Sequence, residues 1–373
     1  MLAVGDGRGN RIVIDAVAFG ANVAATRALI GCGVRLLQVV KGDGYGLGLE
    51  RTVALGLGAC VDGFCAGTPE EALRIRACAP AALVLLFTAC IPENLPQLAQ
   101  QGVIVSVNNV EAFATLARSG IACGIYLDLD CGFGRFGLDG TALDDLLDLA
   151  ALHPAIAIEG AYTHFGQGDA ATLDRGLALF ERHLDRLRQR IDHPLTTMVA
   201  ATHTILSRPA LPYDAVDPGR LLYGIVDKDA QDRFRPVLSA ISSRLIQVNR
   251  ISEAQTVTIG YGEQVALPAG GTTAVFPLGW HDGLSLRATL GDVLIHGRRV
   301  PVIARTLLHS IVDVSGLDDV RIGDEVVLVG VQGAAALTLD DQAAGQGVTA
   351  TELHFRLAGA ITRVAPFPTW QSP

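Results

Sequence analysis

The chain has 373 residues, half of them apolar and 18% charged, with a formal net charge of −9. That length exceeds one ordinary domain, and an acidic chain with no Lys/Arg-rich stretch excludes a nucleic-acid or anionic-membrane surface. The longest apolar run, PAALVLLFTACI, is too short for a bilayer and no charged-then-apolar leader opens the sequence, so a cytoplasmic, enzyme-sized globule is expected.

Through the first two-thirds, short β-like runs alternate with helix-like segments. Strands are expected near 36–41, 62–66, 82–87, 103–107, 124–130, 157–164, 196–202 and 215–218. Between them, Thr68 and Glu71 in TPEEALRIRAC read as a capping box. Asn109 reads as a helix cap and Gly120 as a stop. Segment 169–191 carries apolar residues at helical spacing, with ERHLDRLRQR as its solvated face. Eight strands alternating with helices predict an α/β fold, a closed (β/α)8 TIM barrel.

In such barrels the working residues stand at the C-terminal ends of the strands. Lys41 in LLQVVKGDGYGLG ends the first expected strand, His164 the sixth, His203 follows the seventh and DPGR the eighth. Ordinary solubility asks for none of these polar groups there. After about residue 240, SRLIQVNRI, TVTIGYG, TAVFPLGW, DVLIHGRRVPVIA, SIVDVSG and DEVVLVG are short strands between Gly, Pro and Asp turns, a C-terminal all-β domain. The expected division is 10–240 for the barrel and 241–373 for the β domain, with residues 1–9 able to join the latter. The seven cysteines all lie in the first 131 residues, are odd in number and form no C-x-x-C pair, so packing thiols are expected rather than disulfides or a metal site.

Taken together, VVKGDGYG, DLDCGFGRFGL, THFGQGD, DPGRLLYG, IGYGE, PLGWHDG and GDEVVLVG resemble the alanine racemases in order and spacing, over roughly residues 10–366. The resemblance implies a homodimeric isomerase that uses pyridoxal 5'-phosphate (PLP), with active sites shared between subunits. It implies that Lys41 holds the cofactor as a Schiff base, for which the amine must lose its proton. Tyr261 of the other subunit would be the second base, so that a proton leaves one face of the α-carbon and arrives on the other. A strand-capping tyrosine is the plainer alternative there. Arg135 would hydrogen-bond the cofactor and place the substrate carboxylate, a task suited to a guanidinium. Asp128 stands where the family often has a modified lysine that orients this arginine. The cofactor's phosphate side would be met by Tyr45, His203, Gly219 and Arg220, with His203 alternatively an acid–base group, and Tyr223 would be a further cofactor-binding residue.

The sequence departs from the family pattern at several points. Asp217 replaces the arginine that faces the pyridine nitrogen. A carboxylate there favours a protonated ring, a stronger electron sink. Asp217 could also pair with His164 and so keep an imidazolium beside the catalytic tyrosine. Trp280, Leu308 and His309 alter the substrate pocket, and Thr362 stands where the family carries a tyrosine. The expected function is a racemase or epimerase acting on a small amino acid that is not simply alanine. A same-fold lyase, a decarboxylase or an enzyme cleaving Cα–Cβ, is the alternative that Asp217 favours.

Overall fold

Eight parallel strands close on themselves. In the computed structural model, which describes residues 1–362 except 89, 167, 200, 260–262 and 287–289, two short N-terminal strands come first, β1 (Leu2–Gly5) and β2 (Arg11–Ile14). The barrel strands follow: β3 (Arg35–Val39), β4 (Gly63–Ala66), β5 (Leu83–Leu86), β6 (Ile104–Val107), β7 (Cys123–Asp128), β8 (Ile156–Tyr162), β9 (Thr196–Met198) and β10 (Ala215–Val216). The ring runs β3 to β10 in order and shuts where Ala215 and Val216 pair with Arg35 and Leu36. All eight strands fall in the expected regions, but the first and seventh end early: β3 stops at Val39 and β9 at Met198, and helical segments begin at Lys41 and Thr202.

The physical reason is burial on both faces. β4 (GFCA) is buried throughout, as are the last three residues of β5 (LVLL), so neither needs the polar alternation of a one-sided sheet. The helices begin where short polar side chains satisfy their first amides. Asn109 accepts from the amide of Ala112, and Gly120 ends that helix in the left-handed region at φ 68. Asp169 accepts from the amide of Thr172 and opens the 21-residue helix Ala170–Arg190. Truncating one of the wholly buried strand residues, Leu85 for example, would cost roughly 2–5 kcal/mol.

Contacts group Phe19–Gly44 and Leu49–Arg235 into one compact unit that holds this barrel. The other unit comprises Met1–Ala18, Tyr45–Gly48 and the chain from Pro236 onward. It holds β1, β2, β11 (Leu238–Arg244), β12 (Gln247–Arg250), a hairpin of β13 (Gln255–Ile259) and β14 (Glu263–Leu267), and β15 (Thr272–Phe276). The remaining strands are β16 (Asp292–Ile295), β17 (Arg298–Arg305), β18 (Ser310–Asp313), β19 (Glu325–Gln332) and β20 (Ala335–Leu337). Its main sheet runs β1-β2-β11-β19-β16-β17-β18-β15-β12, so the N-terminal strands belong to this sheet and not to the barrel.

The unit is sheet-rich but not wholly β. Two helices, Leu339–Gln346 and Ala350–Thr362, follow the last strand. Thr338 and Asp341 cap the first reciprocally. The second buries Leu353, Leu357, Ala358 and Ile361, a helical spacing that reading for strands alone passes over.

Candidate active site

Lys41 stands two residues beyond the end of β3, exposed in the single chain, at the start of a turn wound in the left-handed sense. Gly42 (φ 67, ψ 44), Asp43 (φ 54, ψ 51) and Gly44 (φ 65, ψ 45) are followed by Tyr45 at φ 57 and Gly46 at φ 79. Left-handed helix costs an L-residue about 1–2 kcal/mol, so alternate glycines limit that cost to Asp43 and Tyr45. The glycines of VVKGDGYG therefore serve backbone geometry. A side chain at Gly44 would also strike Thr52, whose Oγ1 lies 2.2 Å from the Cβ position.

Two residues to which the sequence reading gave no role at the site, Gly67 and Glu71, shape the lysine's surroundings. A Cβ on Gly67, the residue after β4, would lie 2.6 Å from the Cβ of Lys41, so only glycine lets the lysine stem pass. Glu71 was read as half of a capping box, but only the Thr68 half forms: Thr68 Oγ1 accepts from the Glu71 amide at 3.2 Å. The Glu71 carboxylate instead accepts from the amides of Gly67 and Asp43, both at 2.9 Å. Sequence carries a faint signal for this, an acid just after a strand end and facing a glycine-rich turn.

The loops after β9 and β10 bring the next group together. The amide of Leu221 donates to Thr202 Oγ1 at 3.1 Å, which ties the DPGR loop to the start of the short helix that carries His203. Gly219 is buried and Arg220 partly so. Asp217 is buried, and loss of hydration pushes its carboxyl up to about 7, with Lys41 opposing the rise. Cys65, on β4, feels the same two charges, and burial followed by Asp217 pushes its thiol well up. Tyr223 lies inside the fold. It is only 1% exposed, and its hydroxyl donates to the carbonyl of Val39 at 3.0 Å and accepts from Gln38 Nε2 at 3.2 Å, so it braces β3 from within.

His164 corrects the expected ion pair with Asp217. Its imidazole falls to about 4, first through burial and then through the nearby cations Lys41 and Arg135, so it is neutral at pH 7. Its ring packs edge-on against Phe133 at 5.2 Å. Arg135 is exposed on the same loop, its guanidinium 4.6 Å from the Phe133 ring and 5.1 Å from the Phe136 ring. Asp128 differs from expectation: its Oδ2 accepts from Thr88 Oγ1 at 3.1 Å, and among the described residues no hydrogen bond joins it to Arg135. Burial raises the Asp128 carboxyl to about 6, with Thr88, Tyr162 and Arg135 opposing. Beside this loop opens a cavity of about 500 Å³, lined in part by Thr88, Cys90, Ile91, Asn108 and Phe136.

The other unit holds the remaining expected residues. Tyr45 is buried, its ring 5.0 Å from that of Phe355, and its carbonyl accepts from His354 Nε2 at 2.9 Å. Trp280 and the 306–309 loop lie together, the Trp280 amide donating to the carbonyl of Thr306 at 3.2 Å. Trp280 and Leu308 are about two-fifths exposed on that edge, beside His309. Tyr261 lies outside the described residues, as do the side chain of Thr362 and the loop 287–289.

A lysine at the mouth of a parallel barrel, with the loops of the last two strands on the same side of the ring, is an arrangement shared by more than one family. Two family models decide between them: "Alanine racemase, N-terminal domain" matches residues 14–227 and "Alanine racemase, C-terminal domain" matches residues 238–365. The chain belongs to the alanine racemase family. It is 30% identical over 376 residues to an alanine racemase of Desulfosudis oleivorans, covering 95% of each chain. Another, from Levilactobacillus brevis, is 27% identical over 98% of this chain and 99% of that one. The solved alanine racemase of Streptomyces coelicolor superposes with a TM-score of 0.83 at 26% identity, over 95% of this chain and 97% of that one. The alanine racemase of Bartonella henselae, solved with covalently bound pyridoxal phosphate, shares the fold at a TM-score of 0.81 and 23% identity, over 95% and 98% of the two chains.

Proposed function

We propose that the chain is a pyridoxal-phosphate-dependent amino-acid racemase or epimerase that works through two bases, Lys41 and Tyr261. The observation that carries the reading is Lys41 itself, held at the end of the first barrel strand on a left-handed turn, with Gly67 leaving its stem free. The residues fit the cofactor. Lys41 supplies the amine for a covalent link, and the loops bearing His203, Gly219 and Arg220 lie at the ends of the last two barrel strands, where such barrels bind phosphate. When bound, pyridoxal phosphate supplies an electron-withdrawing ring that lets an amino acid lose its α-proton.

What the chain's own groups do follows from their chemistry. Lys41 Nζ takes or returns the α-proton on one face of the substrate, and the Tyr261 hydroxyl does so on the other. Arg135, exposed on its loop and flanked by two phenyl rings, holds the substrate carboxylate. His164, neutral at pH 7, acts as a hydrogen-bonding group and not as a cation. We assign the cofactor to the barrel unit (Phe19–Gly44 and Leu49–Arg235) and Tyr261, Trp280, Leu308 and His309 to the sheet-rich unit, working across a homodimer with shared sites. The substrate is an amino acid that is not simply alanine, a reading supported by Trp280, Leu308 and His309 in place of the family's usual pocket residues. We place the protein in the cytoplasm. All seven cysteines are unpaired, and among the described residues no helix is long and apolar enough to cross a membrane.

One observation favours a second reading. Asp217 is a buried carboxyl on the loop after the last barrel strand; were it to meet the cofactor's ring nitrogen, it would favour outcomes beyond proton exchange, including decarboxylation or Cα–Cβ cleavage. A panel of L-amino acids in D₂O separates the two. Deuterium at the α-carbon with loss of optical purity supports the racemase, while release of CO₂, amine or aldehyde supports the lyase.

A further inference from the structure

The acid at position 71 is buried, 7% exposed, yet among the described residues its carboxylate meets two backbone amides and no cation. One of those amides belongs to Asp43, in the middle of the left-handed turn that begins at Lys41. The other belongs to Gly67, the residue whose missing side chain makes room for the lysine stem. One carboxylate thus spans from the end of β4 to the turn after β3, one oxygen to each. The far side of the turn is closed separately, since the Asp43 carboxylate accepts from the amide of Leu49 at 3.1 Å and from Arg74 at 3.0 Å.

We infer that Glu71 is a positioning residue for Lys41. By accepting from Asp43 N and Gly67 N at once, it holds the turn in its left-handed form and fixes the direction in which the lysine leaves the barrel mouth. The inference rests on the reading of Lys41 as the cofactor-binding amine. An ionised carboxylate suits the task because each oxygen accepts and neither donates. The amide of a glutamine offers one acceptor and would turn its NH₂ toward the second backbone N–H. That amide, in a partly buried site, would lose its partner and the turn its latch. A helix-capping role would need none of this, since the cap of helix Pro69–Cys78 is the hydroxyl of Thr68.

The test compares three ligand-free chains, wild type, Glu71→Gln and Thr68→Ala, mixed with pyridoxal phosphate. Growth of the visible absorption band gives the rate of covalent capture, and borohydride fixation with peptide mass mapping assigns it to Lys41 or Lys228, the two lysines of the sequence. Thr68→Ala removes the helix cap and lowers the melting temperature but leaves the latch, so it captures at the wild-type rate. Glu71→Gln slows labelling of Lys41 by roughly tenfold or more, the loss expected when a buried amide forfeits its acceptor. Capture by Glu71→Gln at the wild-type rate, or equal slowing by Thr68→Ala, overturns the inference. If Glu71→Gln does not fold, Glu71→Asp, one methylene too short to span both amides, makes the same comparison. A wild-type chain that takes no label on Lys41 overturns the cofactor reading itself and the inference with it, and that failure shows without any variant.

Discussion

The amide of Val39 donates to the carbonyl of Pro218 at 3.3 Å, which locks the strand that presents Lys41 to the turn that presents Asp217. Beneath them the Tyr223 hydroxyl donates to the carbonyl of Val39, so the turn is joined to that strand from two directions. An amine and a buried carboxyl are thereby fixed in one rigid frame. The charge of Lys41 opposes the rise that burial imposes on Asp217.

That frame makes the stability of the ligand-free chain depend on pH in a definite direction. Asp217 titrates at about 7 when folded, against 3.8 for the ordinary side chain. A group raised in this way contributes stability that is fully present below the unfolded value and is lost as pH rises through the folded one. Asp217→Asn removes the cost of burying that charge. Ligand-free Asp217→Asn should melt above the wild type at pH 8, by about 2–4 °C for each kcal/mol recovered. The gap should narrow at pH 5, which melts at the two pH values would show.

His354 acts in the opposite direction. It is 1% exposed, its Nε2–H donates to the carbonyl of Tyr45, and burial lowers it to about 4 from 6.5. The unfolded chain therefore binds the extra proton first, and stability present above pH 6.5 is lost as pH falls toward 4. The loss due to this group has a limiting slope of about 1.4 kcal/mol per pH unit. His164, lowered to about 4 as well, adds to it in the same sense. Over the same window Asp217 and Asp128, raised to about 7 and about 6, act in the opposite sense, so the test is a difference between two chains. Denaturant titrations between pH 7 and 4 should show His354→Gln losing less stability on acidification than the wild type.

Gly67→Ala tests the room left for the lysine. Gly67 is not in the left-handed region, so alanine brings no backbone strain, but its Cβ would fall 2.6 Å from the Cβ of Lys41. The lysine must shift, and a displacement on the scale of an ångström costs roughly 100-fold in rate when the reacting atom is the one that moves. The expected result is a folded chain with a melting temperature lowered by a few degrees and turnover reduced by about that factor. Steady-state kinetics beside a thermal melt would check both halves.

Much of the barrel was legible because its signal is local and repeated. Each strand is a short apolar run closed by a turn or a cap, as at Asn109, Asp169 and Gly120, and burial on both faces leaves little ambiguity about what such runs become. The lysine at the end of β3 and the loops after β9 and β10 followed from the same pattern. What escaped depends on pairs far apart in the chain. Glu71 resembles the partner of a helix cap until the fold brings Asp43 beside it. Gly67 looks like a loop glycine until the lysine stem passes it. The tyrosine of DPGRLLYG sits in a motif associated with cofactor, yet the fold turns its hydroxyl into the core. An Asp217–His164 ion pair was plausible by charge alone. Burial and two nearby cations keep the imidazole neutral. The helix Ala350–Thr362 was passed over among strong strand signals, although its apolar residues recur at helical spacing.

The central claim is tested most directly by borohydride reduction of the full-length protein with pyridoxal phosphate, followed by peptide mass mapping. With two lysines in the sequence, the result is close to binary. The account predicts one pyridoxyl group per chain, on Lys41, and none in Lys41→Arg. Label confined to Lys228, or no label in a folded chain given excess cofactor, would contradict it.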